Sequence, residues 1–242
     1  LVTSMVVEMT SLQGVLGEIY ARETGTDAQV AQALREHYLP RYAGDGTPSG
    51  DLGRVVGLCD RLDSLAGLFS IGLKPTGSAD PYGLRRTALG LVALLVEGKV
   101  SLDLRPLLER AIALQPVAAR EVLGFVADRL LIWLKDKGLR HDVVDAAVSA
   151  RAHDPYGAYL SATGLQEAVQ GAEWLAVLQA YARCGRITKD LSETLPLQPA
   201  RYTEPSVAAL YSALEGVGPI GEVGELVSAL SALQPRVAAF FD

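Results

Sequence analysis

The sequence predicts an almost entirely α-helical protein. Apolar residues recur at the spacing of one helix face, strand-like alternation is nearly absent, and cap residues and breakers bound the periodic runs. Taken in order, the pattern places helices at about 3–23, at 28–37 behind the cap Asp27, and at 51–70. The next runs over about 81–97, with Asp80 as N-cap, Pro81 at the first helical position, and Leu84, Ala88, Leu91, Val92 and Leu95 on its inner face. Asp103 opens a helix to about 114, and Gly138 closes a long one at 117–137 that carries Trp133. Asp142 caps 142–151, and 165–184 follows as one run. Thr203, Glu204 and Pro205 open 204–216, and 221–241 ends the chain with a break near Pro235. Between these lie a turn-rich loop, His37 to Gly50, and an extended connector, Leu195 to Thr203.

Length and composition bound the function. With 242 residues, 49% hydrophobic and 21% charged, the chain makes one large or two ordinary globular domains, with a boundary expected near Gln115 and Pro116. No apolar run approaches the roughly 18 residues of a membrane span. Cys59 and Cys184 stand far apart in no metal-ligand spacing, so both read as free thiols of a reducing compartment. A net charge of −6 is unlike a nucleic-acid binder, but the cations cluster at Arg35 and Arg41, at Arg85 and Arg86, from Lys135 to His141, and at Arg183, Arg186 and Lys189. The chain has three histidines and lacks a Gly-x-Ser-x-Gly elbow, a phosphate loop of the Gly-x-x-x-x-Gly-Lys type and a Cys-x-x-Cys pair. Acyl transfer and nucleotide hydrolysis by this chain alone are therefore unsupported.

The most informative stretch is Lys74 to Arg86, K-P-T-G-S-A-D-P-Y-G-L-R-R. It sets two guanidiniums on the first turn of a helix, the positive end of its dipole, where an anion is needed to offset them. An internal carboxylate, Asp60, Asp63 or Asp80, is one candidate, and a phosphate-bearing partner is the other. Adjacent residues on one turn face different ways, so one arginine is expected on an internal carboxylate and the other free for phosphate.

This stretch resembles the K-P-T-G-S-x-D-P-F-A-L-R-R pattern of the bacterial glycyl-tRNA synthetase β subunit. Thr10 to Leu16, Arg35 to Gly44 and Leu58 to Gly72 are similar to further segments of that family, and weaker likenesses follow at Gly138 to Val148 and Leu233 to Asp242. The resemblance implies an HD-like helical domain at 1–115 and a helical anticodon-binding-like domain at 116–242, within a chain that is a fragment of a longer β subunit. It implies tRNA-Gly and the α subunit as partners, a cytoplasmic setting, and no membrane. It also implies that ATP and magnesium act at the α subunit, with no cofactor and no catalytic residue in this chain.

HD-type hydrolases gather several His and Asp side chains around metal ions that activate water. Here only His37 and Asp60 resemble such ligands, so they are weak metal candidates, and the His141-Asp142 pair reads as a helix start. Gln179 to Lys189 resembles the family's anticodon-domain helix, with Ala182, Tyr181 and Arg186 departing from its pattern. The expected tRNA-binding residues are Arg41, Lys74, Arg85 and Arg86 in the first half and Tyr181, Arg183, Arg186 and Lys189 in the second. The alternatives are an active metal-dependent phosphohydrolase using His37 and Asp60, and a subunit-interaction scaffold that touches no RNA.

Overall fold

The structure is a computed structural model that describes residues 4–42, 44–111, 116–193 and 196–241. Among them are twelve α-helices and no strand. The first eight are α1 (Ser4–Glu8), α2 (Val15–Glu23), α3 (Ala28–Glu36), α4 (Asp51–Ser70), α5 (Leu84–Glu97), α6 (Leu104–Ala111), α7 (Pro116–Asp136) and α8 (His141–Arg151). The others are α9 (Pro155–Ala168), α10 (Trp174–Thr188), α11 (Pro205–Glu215) and α12 (Val223–Phe241).

Packing divides the chain into two compact units, Leu1–Tyr159 and Leu160–Asp242. In the first, α4, α5 and α7 pack on one another, with α3 against α4 and α6 and α8 against α7. Their contact is dry: Leu65, Leu91, Leu95, Val122, Val126, Leu130 and Leu134 are fully buried. Full burial of one such side chain stabilises by about 1.5–3 kcal/mol, which fixes the relative placement of α4, α5 and α7. In the second unit α12 packs on α10 and α11, and from residue 171 onward Val177 and Val237 are the only buried apolar side chains among the described residues.

Most predicted helices stand within a residue or two. Asp27 caps α3 through the amides of Gln29 and Val30, Glu204 and Pro205 open α11, and Asp103 accepts the Arg105 amide at 2.9 Å. Four expectations change. The run at 3–23 is broken into α1, a 3-10 turn and α2, because the chain turns at Gly14 (φ 79°), where an added Cβ would meet the Arg35 carbonyl. The run at 165–184 is two helices, α9 and α10, and α9 begins ten residues earlier, at Pro155. α12 continues through Pro235, which removes one amide donor without ending the helix. The N-cap position of α8 is Arg140, whose side chain makes no cap, and Asp142 sits inside the first turn and pairs with the Arg140 guanidinium.

The expected domain boundary also differs from the packing. Gln115 lies outside the described residues, but α7 beyond it packs on α4, α5, α6 and α8, so the first compact unit continues to Tyr159. Residues 112–114, Leu195 and Asp242, which the sequence placed in a helix, a connector and a family segment, also lie outside the described residues.

Candidate nucleic-acid interface

The Lys74–Arg86 stretch folds as two successive turns before a helix. Thr76 and Ala79 exchange backbone hydrogen bonds of 3.1 and 2.9 Å, and the Gly83 amide donates to the Asp80 carbonyl at 3.1 Å. Gly83 adopts φ 65°, and α5 starts only at Leu84, three residues later than the Pro81 start the sequence suggested. Asp80 still caps the helix from a distance: its two carboxylate oxygens accept the amides of Leu84 at 2.8 Å and Arg85 at 2.9 Å.

The two arginines then part. Arg85 turns back and donates to the carbonyls of Gly77 at 2.6 Å and Ala79 at 3.4 Å, so its charge is engaged by backbone oxygens and not by the expected internal carboxylate. Arg86 is exposed and has no hydrogen bond or ion pair among the described residues.

Opposite α5, the His37–Gly50 loop is held by a residue that sequence reasoning passed over. Arg61 of α4 is buried, and its guanidinium donates to the carbonyls of His37, Tyr38, Leu39, Pro40 and Gly57 at 2.9–3.2 Å. Burial pulls its pKa down, opposed by the neighbouring Asp60 carboxylate. Room for it comes from missing side chains: a Cβ on Gly90 would lie 2.9 Å from Arg61 Nε, and one on Gly57 would lie 3.1 Å from Nη1. The far end of the loop is fixed on buried Glu36, which accepts Ser49 Oγ at 2.6 Å, the Gly50 amide at 3.0 Å and Gln32 Nε2 at 2.9 Å. Burial works against the Glu36 charge, but those hydrogen bonds outweigh it and hold the carboxyl below its usual range. The signal for Arg61 was available: it sits on the inner face of α4, four residues from Gly57 and from Leu65, where a cation needs a reason.

Two cavities flank Arg86. The larger, about 690 Å³, lies between the loop, α5 and the end of α7. Its cations are Arg41, Arg85, Arg86 and Lys137, its carboxylates Asp45, Asp80, Glu97 and Asp136, and its apolar wall includes Leu89, Ala93, Ile132 and Trp133. Most of these charges are engaged. Arg41 Nε donates to Asp45 at 2.8 Å, a bond that holds the Asp45 carboxyl below its usual range, and Lys137 lies 3.5 Å from Glu97 and 4.6 Å from the Trp133 ring centre. The smaller cavity, about 340 Å³, is lined by His37, Tyr38, Asp60, Arg61 and Tyr82, and shares Arg41 and Arg86 with the first. His37 Nδ1 contacts the Ala33 carbonyl at 3.1 Å, and among the described residues no three His, Cys, Asp or Glu side chains converge as a metal site would require.

The other expected contacts divide by environment. Lys74 is paired with Glu121 of α7, and three more of the clustered cations also meet carboxylates: Arg35 with Glu18, Lys135 with Asp145, and Arg140 with Asp142. In the second unit Tyr181, Arg183, Arg186 and Lys189 are exposed on and just beyond α10. At 100° per residue the three cations fan over ~120° of the helix surface. Arg183 lies 5.9 Å from the Phe241 ring centre, Arg186 Nε donates to its own helix at Ala182, and none of the three meets a carboxylate among the described residues.

Residues 1–149 match the family model described as glycyl-tRNA synthetase beta subunit. The chain belongs to this family. Curated relatives include the glycine–tRNA ligase beta subunits of Moorella thermoacetica, 38% identical, and of Haemophilus influenzae and Bacillus subtilis, each 36% identical. All three alignments cover the whole of this chain but only 36–38% of the relative, so the chain spans little more than a third of the length of the family members it matches. Within the family match fall both cavities, the Arg61 anchor and the Arg85–Arg86 pair, whereas Tyr181 to Lys189 lie beyond it.

Proposed function

We propose that this chain serves glycyl-tRNA synthesis by holding tRNA-Gly, with bond-making left to an α subunit that uses ATP and magnesium. The observation that carries the reading is Arg86: an exposed guanidinium with no protein partner among the described residues, beside two cavities, in a chain whose other cations there are largely paired. A net charge of −6 is compatible with this, because phosphate contact needs a few free cations in one place and not a basic protein. Arg41 and Lys74 join by exchanging Asp45 and Glu121 for phosphate. Arg85 contributes by fixing the turn that presents Arg86. The first unit is then an HD-like domain at the acceptor side of the tRNA, and α10 of the second, with Tyr181 for stacking and Arg183, Arg186 and Lys189 for phosphates, approaches the anticodon. Their common effect is orientation, which lowers the entropic cost of bringing the tRNA 3′ end to a distant active site.

The test is binding of tRNA-Gly across a range of salt concentrations. Affinity is expected to fall log-linearly with salt, and Arg86→Ala to lower the slope by about one unit with a uniform loss across RNA sequences. Salt-insensitive binding, or a slope unchanged in Arg86→Ala, defeats the reading and leaves a scaffold that touches no RNA.

A further inference from the structure

We infer that the larger cavity is a pocket for one nucleoside monophosphate unit, its phosphate on Arg86 and its base between the apolar walls of α5 and α7. The inference deepens the RNA-holding reading and rests on it for the ligand's source. The cavity's volume of about 690 Å³ lies in the range of small-molecule sites, and its chemistry changes along its length. Arg86 stands at the N-terminal end of α5, with Leu89 and Ala93 on the same helix face within ~10 Å along the axis. Ile132 and Trp133 of α7 line the same space, and Ile132 is an apolar side chain left 46% exposed at the cavity wall. Toward the other end, where Lys137 meets Glu97, Asp136 has no hydrogen bond or ion pair among the described residues.

A free guanidinium, an apolar slot and a free carboxylate are together a specification. Inorganic phosphate would occupy Arg86 and leave the slot unfilled. A fatty acid would press its apolar end toward the Asp136 carboxylate, which costs free energy. A nucleoside monophosphate meets all three: an anion for Arg86, a flat body for the slot, and ribose hydroxyls or an exocyclic amine to donate to Asp136. The same unit is offered by an unpaired nucleotide of RNA and by a free mononucleotide.

The experiment uses the full chain and adenosine 5′-monophosphate, adenosine and inorganic phosphate as separate probes, with binding followed by calorimetry. The monophosphate is expected to bind at least tenfold more tightly than either adenosine or phosphate. Arg86→Ala should cost about tenfold for the monophosphate and less than twofold for adenosine. Ala93→Phe, which fills the slot, should abolish binding of both, with circular dichroism confirming that the helices persist. Equal affinity for phosphate and the monophosphate overturns the inference, as does unchanged binding in a folded Ala93→Phe. Competition assigns the source: displacement by tRNA-Gly identifies an RNA nucleotide, and simultaneous binding identifies a free one. Salt-dependent tRNA binding without mononucleotide binding overturns this inference alone, whereas loss of both removes the RNA-holding reading as well.

Discussion

Asp80 to Gly83 and Asp154 to Gly157 spell the same tetrapeptide, Asp-Pro-Tyr-Gly, yet the helix behind each begins at a different place. At the second copy α9 starts at Pro155, immediately after the aspartate, and Asp154 accepts the Gly157 amide at 3.0 Å. At the first copy the helix waits until Leu84, and Asp80 reaches the amides of Leu84 and Arg85 instead. Both carboxylates cap; their surroundings choose the register. Pro155, Gly157 and Ala158 are buried, and Asp154 is also held by Ser101 Oγ at 2.7 Å and the Leu102 amide at 3.4 Å. Pro81 and Tyr82 are exposed, Gly83 takes a left-handed conformation, and Arg85 holds the preceding turn by its carbonyls. A local start signal thus specifies that a helix begins nearby, and tertiary contacts decide at which residue.

Substitutions in the two copies sharpen that contrast. The largest effect is expected from Asp154→Ala, which strips partners from Ser101, Leu102 and Gly157 and should cost about 2 kcal/mol in urea denaturation. Asp80→Ala should cost about 1.5 kcal/mol and speed amide hydrogen exchange at Leu84 and Arg85 while leaving the first turn of α9 protected. Equal exchange at both helix starts in that variant would show that the distant cap carries nothing. The smallest effects fall on the glycines. Gly83→Ala forces a Cβ onto a residue at φ 65° and should destabilise by about 1 kcal/mol. Gly157→Ala is also expected to cost about 1 kcal/mol, because its Cβ would displace the Asp154 carboxylate from Ser101 and Leu102 and about 1 kcal/mol of helix propensity offsets only part of that loss. A neutral Gly157→Ala would show that Asp154 caps equally well from a shifted position.

The sequence showed the helices well where the signal is local. The caps Asp27 and Asp103, the start at Pro205 and the stop at Gly138 all stand, and so does the apolar face of α5. It misled where a residue acts across space. Gly14 falls inside the single helix expected over 3–23 until the Arg35 carbonyl is seen against it, and the α9–α10 division arises where neither Pro nor a strong cap marks it in the sequence. The Lys74–Arg86 stretch shows both sides. That Arg85 and Arg86 must diverge followed from helix geometry, whereas the acceptors of Arg85 are main-chain carbonyls and carry no side-chain signature. Trp133 and Asp136 went unread as cavity residues because that cavity exists only once α5, α7 and the loop are assembled.

Arg61 grips main-chain oxygens at His37, Tyr38, Leu39 and Pro40 and none of their side chains. The anchor therefore sets the path of residues 37–40 without reading their side chains, whereas the far end of the loop depends on Ser49 and Glu36. Like a frame that holds interchangeable lenses, it makes no demand on the side chains at His37, Tyr38 and Leu39, and the cost falls on Gly57 and Gly90, whose bareness lets the anchor through. A designer wishing to retune what these cavities accept would vary the loop and leave α4 and α5 alone.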